Sequence, residues 1–199
     1  MTESSVSVKL DEQQFQRIQS LLRTVPREVP KVMSRAINKT ATSSKAEIAR
    51  LVAAKAKIPQ KGIKKGIWLK KATQRRWLAT LNITSRRIPL IYLKPGKTKK
   101  GVTYRGPGDV YAHKQKVQMS GGQILSAFKQ TMPGSGHKGV FLRRTKKRKP
   151  IDELFGPSVA ELFEGVAGIA KQVKRSANEK LTKNIDAQIK YILEKRKAG

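Results

Sequence analysis

The 199-residue chain contains no cysteine, which excludes disulfides and cysteine-ligated zinc. Acidic residues are nearly as scarce through its centre. Between Glu47 and Asp152 only Asp109 stands against 27 lysines and arginines, which places +26 of the total net charge of +31 in that window. Aromatics make up 6 %, too few for a core built on stacked rings. No apolar run approaches the ~20 residues that span a bilayer. Residues 1–5 carry neither the basic start nor the apolar stretch of a secretion signal, so the expectation is a protein made and assembled in the cytosol, without a membrane partner.

What is present is positive charge, and it needs a counter-charge. A compact body so one-sided repels itself unless it meets a dense polyanion, and nucleic acid is the commonest one. Charge of this size on its own favours disorder, but the 38 % hydrophobic residues recur in periodic blocks and argue for a folded chain.

Residues 11–22 read as a short helix capped by Asp11 and Gln14, with Phe15, Ile18, Leu21 and Leu22 on one face. After a break at Thr24-Val25-Pro26, the three- and four-residue spacing of Val29, Val32, Met33, Ala36, Ile37, Ala41, Ile48, Leu51 and Val52 predicts a long helix that Ile58-Pro59 ends or kinks. Its opposite side would carry Lys31, Arg35, Lys39, Lys45 and Glu47. From Lys61 the period changes. Extended segments are expected at 68–72, 77–83, 87–93, 124–132 and 139–145, with a glycine-rich basic loop at 94–108 holding a hairpin strand near 102–104 and a turn at 133–137. Residues 150–158 should return the chain to helix, with Ser158 and Glu161 as a capping box. Val159, Leu162, Phe163, Val166 and Ala170 open an apolar stripe that Ala177, Leu181, Ile185, Ile189 and Ile192 continue. The fold class is α+β, with N-terminal helices, a central antiparallel sheet with basic loops, and a long C-terminal helix. An N-terminal helix or arm (1–24) would precede one domain (25–199), with the basic sheet at about 61–149 and the C-terminal helices at about 157–197.

Basic doublets run through the centre: Lys64-Lys65, Lys70-Lys71, Arg75-Arg76 and Arg86-Arg87, with the densest run at Arg143-Arg144 and Lys146-Lys147-Arg148-Lys149. Doublets on a strand put one charge on each face, so part of this charge must lie on strand ends or on a face free of the core. Trp68, Trp77, Tyr92, Tyr104 and Tyr111 interleave with the charges and suit packing or subunit contact better than base stacking. With no base-reading motif, contact with nucleic acid would be to its backbone. His113 and His137 have no carboxylate near them in sequence, and the glycine-rich links lack the context of a phosphate-binding loop. Neither catalysis nor a metal or cofactor site is expected.

Ala36-Ile37-Asn38-Lys39-Thr40-Ala41 lies in a helix followed by the basic sheet. Gly139-Val140-Phe141-Leu142-Arg143-Arg144 leads into Pro150-Ile151, Leu154 and Gly156-Pro157-Ser158-Val159, and a terminal helix closes the chain. From about residue 25 onward, this order resembles the prophage minor tail protein Z family, the tail completion proteins of long-tailed, non-contractile phages. The resemblance implies a non-enzymatic virion protein at the head–tail junction. It would form a ring, commonly hexameric, at the head-proximal end of the tail tube. Its partners would be further copies of itself, the tail tube or tail terminator protein, the head connector or adaptor proteins, and genomic DNA contacted without sequence preference. On that reading Lys94, Lys97, Lys99, Lys100 and Arg105, with Arg143, Arg144, Lys146, Lys147, Arg148 and Lys149, are candidates for DNA or lumen contact. Trp68, Trp77, Gly156, Pro157 and Ser158 are candidates for subunit contact, the last three also shaping a helix start. The competing expectation is a sequence-nonspecific RNA- or DNA-binding protein of ribosomal or nucleoid-associated type.

Overall fold

In a computed structural model, residues 4–9, 11–56, 58–113, 115–165 and 167–197 are described. The fold is α+β, with antiparallel sheets and a long C-terminal helix. The chain forms two compact units. One comprises Leu51–Gly66 and Thr84–Val166; the other comprises Glu3–Arg50, Ile67–Ile83 and Ala167–Gly199.

The second unit is helices against a small sheet. Helix α1 (Glu12–Leu21) begins at the expected capping box: Gln14 N–H donates to Asp11 Oδ1 at 2.7 Å, and Asp11 N–H donates back to Gln14 Oε1 at 3.3 Å. Ile18 and Leu22 are wholly buried, while Leu21, expected on the same face, is 46 % exposed. Helix α2 (Val29–Ala56) has no glycine and carries its one proline, Pro30, in the first turn where no hydrogen bond is lost. In its N-terminal half Val32, Met33, Ala36, Ile37 and Ala41 are buried against Leu181, Ile185, Ile189 and Ile192 of helix α5 (Ile169–Lys197). Strand β1 (Ser4–Lys9) and strand β2 (Ile67–Lys70) flank strand β3 (Leu78–Ile83), and Val8, Ala79, Leu81 and Ile83 point inward.

A polar seam joins α2 to α5. Thr40 Oγ1 accepts from Asn184 Nδ2 at 2.9 Å, and about two helical turns further along α2 Glu47 accepts from Ser176 Oγ at 2.8 Å and pairs with Lys180. Glu47 therefore faces α5, with its side chain only 10 % exposed, instead of lying on the outer side where the helical spacing puts it. Burial pushes its carboxyl up, but the hydrogen bonds from Lys180 and Ser176 and the charges of Lys180 and Arg50 outweigh this and hold it below the usual value. Between the two pairs lies Ser44, fully buried, its hydroxyl without a hydrogen-bond partner.

The first unit is mostly sheet. Helix α3 (Gln60–Lys65) occupies the stretch where the sequence shows only a change of period. It is one short turn anchored by Ile63, too brief to leave a helical pattern. Strand β4 (Arg87–Pro89) is cut short, because Leu90 and Leu93 bury at a spacing of three in a 3₁₀ turn (Leu90–Leu93). Strands β5 (Gly96–Thr98) and β6 (Gly101–Thr103) form a hairpin extended by β9 (Gln123–Leu125). The segment expected at 124–132 is broken at Ser126, whose positive φ of 60° turns the chain into β10 (Ala127–Thr131).

Strands β10, β11 (Lys138–Arg143), β12 (Ile151–Ser158), β7 (Tyr111–Ala112) and β8 (Gln115–Lys116) follow one another in a six-stranded sheet, with β4 also on β12. Residues 151–158, expected as the approach to a helix, are thus the sheet's central strand. Leu154 is fully buried there, and Phe155 pairs with Tyr111 and also with Pro89. The Ser158–Glu161 capping box then starts helix α4 (Val159–Glu164) as its sequence indicates. The apolar stripe from 159 onward is not one helix. Helix α4 stops at Glu164, α5 starts at Ile169, and Ile169 is buried where Ala170 was expected; Val166 lies outside the described residues.

Candidate polyanion-contact surface

Hairpins put charge at their turns, because the turn residues have no partner strand to pack against. Lys99 and Lys100 occupy the β5–β6 turn, and residues 144–150 form the β11–β12 connection, closed by the Arg144 N–H donating to the Pro150 carbonyl at 3.3 Å. Two ladder contacts bring these tips to the same end of the first unit. Ser126 N–H donates to the Lys100 carbonyl at 3.1 Å, and the next residue, Ala127, sits opposite Leu142, one residue before Arg143. Lys100 and the base of the 144–150 connection therefore flank the same corner of the chain, at Ser126-Ala127. Lys94, which ends the 3₁₀ turn with φ of 52°, and Arg105, two residues past β6, lie at the other end of that hairpin. All eleven candidate cations are solvent-exposed.

Their electrostatics differ. Arg144 is held: its Nε and Nη2 each lie 2.6 Å from an Asp152 carboxylate oxygen. That fork raises the guanidinium above its usual value and keeps the Asp152 carboxyl below the usual range. Arg143 lies over the Phe128 ring, 4.4 Å from its centre. Among the described residues, no ion pair joins Lys97, Lys99, Lys100, Lys146, Lys147, Arg148 or Lys149 to an acid, so their charge is available to an outside anion.

The aromatic residues separate by environment. Trp77 is half-buried, 5.6 Å from the Phe15 ring, and its Nε1–H donates to the Gln74 carbonyl. Trp68 is 69 % exposed. Tyr104 is buried, its hydroxyl donating to the Pro107 carbonyl at 2.7 Å, and burial pushes its pKa up to about 12. Tyr111 carries the Arg87 guanidinium 3.5 Å above its ring, and Tyr92 is exposed.

His137 has a carboxylate partner that its sequence neighbours do not show. Its Nε2 is 3.0 Å from Glu153 Oε1, sixteen residues away, because the β10–β11 turn folds it back over β12. A cleft of about 470 Å³ is lined by Lys55, Asp109, Tyr111, Pro157 and Glu161 among others. Both its carboxylates are engaged, Asp109 with Lys116 at 2.9 Å and Glu161 with the Ser158 N–H at 3.0 Å. Among the described residues no three His, Asp or Glu side chains are grouped to hold a metal, and no helix is long and apolar enough to cross a membrane.

The profile of the prophage minor tail protein Z family matches residues 12–196. The chain belongs to that family. With membership comes a structural role in a phage tail. The match starts at the first residue of α1 and so includes the N-terminal helix, ahead of residue 25 where the resemblance was expected to begin. No curated protein and no solved structure matches the chain.

The segments that resemble this minor tail protein family have physical roles in the fold. In the 36–41 segment, Ala36, Ile37 and Ala41 are core, Thr40 joins the seam to α5, and Asn38 binds the backbone of Ala72. Gly139 leaves space for the Phe141 ring, which a Cβ would approach to 2.7 Å. Gly156, Pro157 and Ser158 are buried within the chain itself. At Gly156 a Cβ would lie 2.3 Å from Leu93 Cδ1, so glycine lets the 3₁₀ turn seat on the central strand.

Proposed function

We propose that the chain is a tail completion protein. It forms a ring, commonly six copies in such assemblies, at the head-proximal end of the tail tube, and it joins the tube or its terminator to the head connector. The basic tips at 99–100 and 143–149 face the channel and neutralise the phosphates of passing genomic DNA. The protein then resides in the virion, at the head–tail junction, after assembly in the host cytoplasm. The observation that carries this reading is the convergence of two basic turns at one end of the first unit, in a chain whose family role is in the tail. Spread lysines that contact backbone without reading bases suit a genome that must later leave.

Negative-stain imaging and infectivity of particles assembled with and without the protein test the role. Tails lacking it are expected to accumulate apart from filled heads. If such tails still join heads and give infectious particles, the completion role fails.

A further inference from the structure

The three-stranded sheet of the second unit buries one face and leaves the other in water. Cross-strand partners place side chains on that outer face in rows: Trp68, Asn82 and Ser5 in one, Lys70, Thr80 and Ser7 in the next, then Leu78 with Lys9. Trp68, Lys70, Asn82, Ser5, Ser7 and Lys9 are all exposed. There is no acidic residue among them.

The β2–β3 connection at the end of these rows adds Lys71, Arg75 and Arg76, all exposed, and it is held rigidly. Asn38 fixes Ala72, Thr73 and Arg76 exchange backbone hydrogen bonds at 2.9 and 3.2 Å, and Trp77 Nε1 ties down Gln74. Two cations, three hydroxyls, one amide and one open indole therefore lie on this face, with three further cations on the turn at its edge.

We propose that this sheet face binds an unpaired stretch of nucleic acid, with a base stacked on Trp68 and phosphates held by Lys70, Lys9 and the 71–76 turn. The charge is complementary to a polyanion and repels a second copy of the same face. An aromatic ring on an open sheet adds little to a duplex, whose bases hide their faces, but it gives an unpaired base a stacking partner. The inference does not rest on the ring or on the hairpin tips of the first unit, which are different residues.

Fluorescence anisotropy with a labelled twelve-nucleotide oligo-dT and a duplex of equal length, at several salt concentrations, tests it on the full chain. Trp68→Ala is expected to weaken oligo-dT binding about tenfold, with the salt dependence and duplex binding unchanged. Trp68→Phe should recover part of the loss, and Lys70→Gln should lower the salt slope. Unchanged oligo-dT affinity in Trp68→Ala, or equal losses for oligo-dT and duplex, overturns the proposal. So does a change in solution mass on Trp68→Ala without a change in oligonucleotide affinity, which would make the face a contact between copies. Head-joining assays read the 143–149 tip and can fail or succeed independently.

Discussion

Asn38 holds Ala72 by both sides of its backbone, its Oδ1 accepting from the Ala72 N–H at 2.8 Å and its Nδ2 donating to the Ala72 carbonyl at 2.9 Å. An amide side chain is the smallest group that presents an acceptor and a donor side by side, so it can stand in for a missing strand. The helix thereby dictates where a basic turn sits.

Replacing Asn38 with Ala strands two polar groups of a buried residue. A loss of about 2–3 kcal/mol is expected in urea unfolding, with Asn38→Asp intermediate at neutral pH because it retains only the acceptor. A loss below ~0.5 kcal/mol would show that the clamp contributes nothing to stability.

Ser44 runs the other way. Its hydroxyl is buried in the α2–α5 seam with no hydrogen-bond partner, so Ser44→Ala removes an unmet desolvation cost and improves helix propensity. The variant should be more stable by about 0.5–1 kcal/mol, readable as a higher Tm. A lower Tm would mean that the hydroxyl is satisfied in solution.

Glu47 makes stability depend on acid. Its native pKa lies below the ordinary value of 4.5 because the Lys180 and Ser176 hydrogen bonds outweigh burial. A depressed carboxylate stabilises the fold above its unfolded pKa, and that contribution disappears as pH falls through the native value. Unfolding free energy should drop between about pH 5 and pH 3, and Glu47→Gln should flatten this part of the profile. Identical slopes for parent and variant would contradict the assignment.

The tip at 146–149 should be separable from folding. Lys146, Lys147, Arg148 and Lys149 are exposed and have no acidic partner among the described residues, so changing all four to Gln is expected to leave the circular dichroism spectrum and Tm nearly unaltered. DNA binding should lose up to about 3–4 in the slope of log affinity against log salt, and head joining should fall. Unfolded or insoluble protein would instead make this run part of the structure.

How much of this was legible in the chain depends on distance along it. The Asp11–Gln14 and Ser158–Glu161 capping boxes, the long second helix and the Ala177-to-Ile192 part of the terminal stripe are local patterns that form as expected, whereas the stripe's opening is split between α4 and α5. Strand 151–158 carries Gly156 and Pro157 and runs into a capping box, so its local pattern resembles the approach to a helix. Only its pairing with β11, β7 and β4 makes it central to the sheet. The His137–Glu153 pair, the Asn38–Ala72 clamp and the Glu47–Lys180 contact join residues 16, 34 and 133 positions apart, and no local pattern announces them.

The amino-acid order alone settled that this chain would be α+β and overwhelmingly cationic in its centre, because helical period, capping chemistry and charge are properties of neighbours. Which of those cations are neutralised, which stand together, and which tryptophan stays in water were decided only by strand pairing. Arg144 meets Asp152, the turn at 99–100 comes beside the tip at 143–149, and Trp68 remains outside while Trp77 packs on Phe15. The reason is physical: a local pattern selects an element, but a surface is made of residues that only the register between distant strands brings side by side.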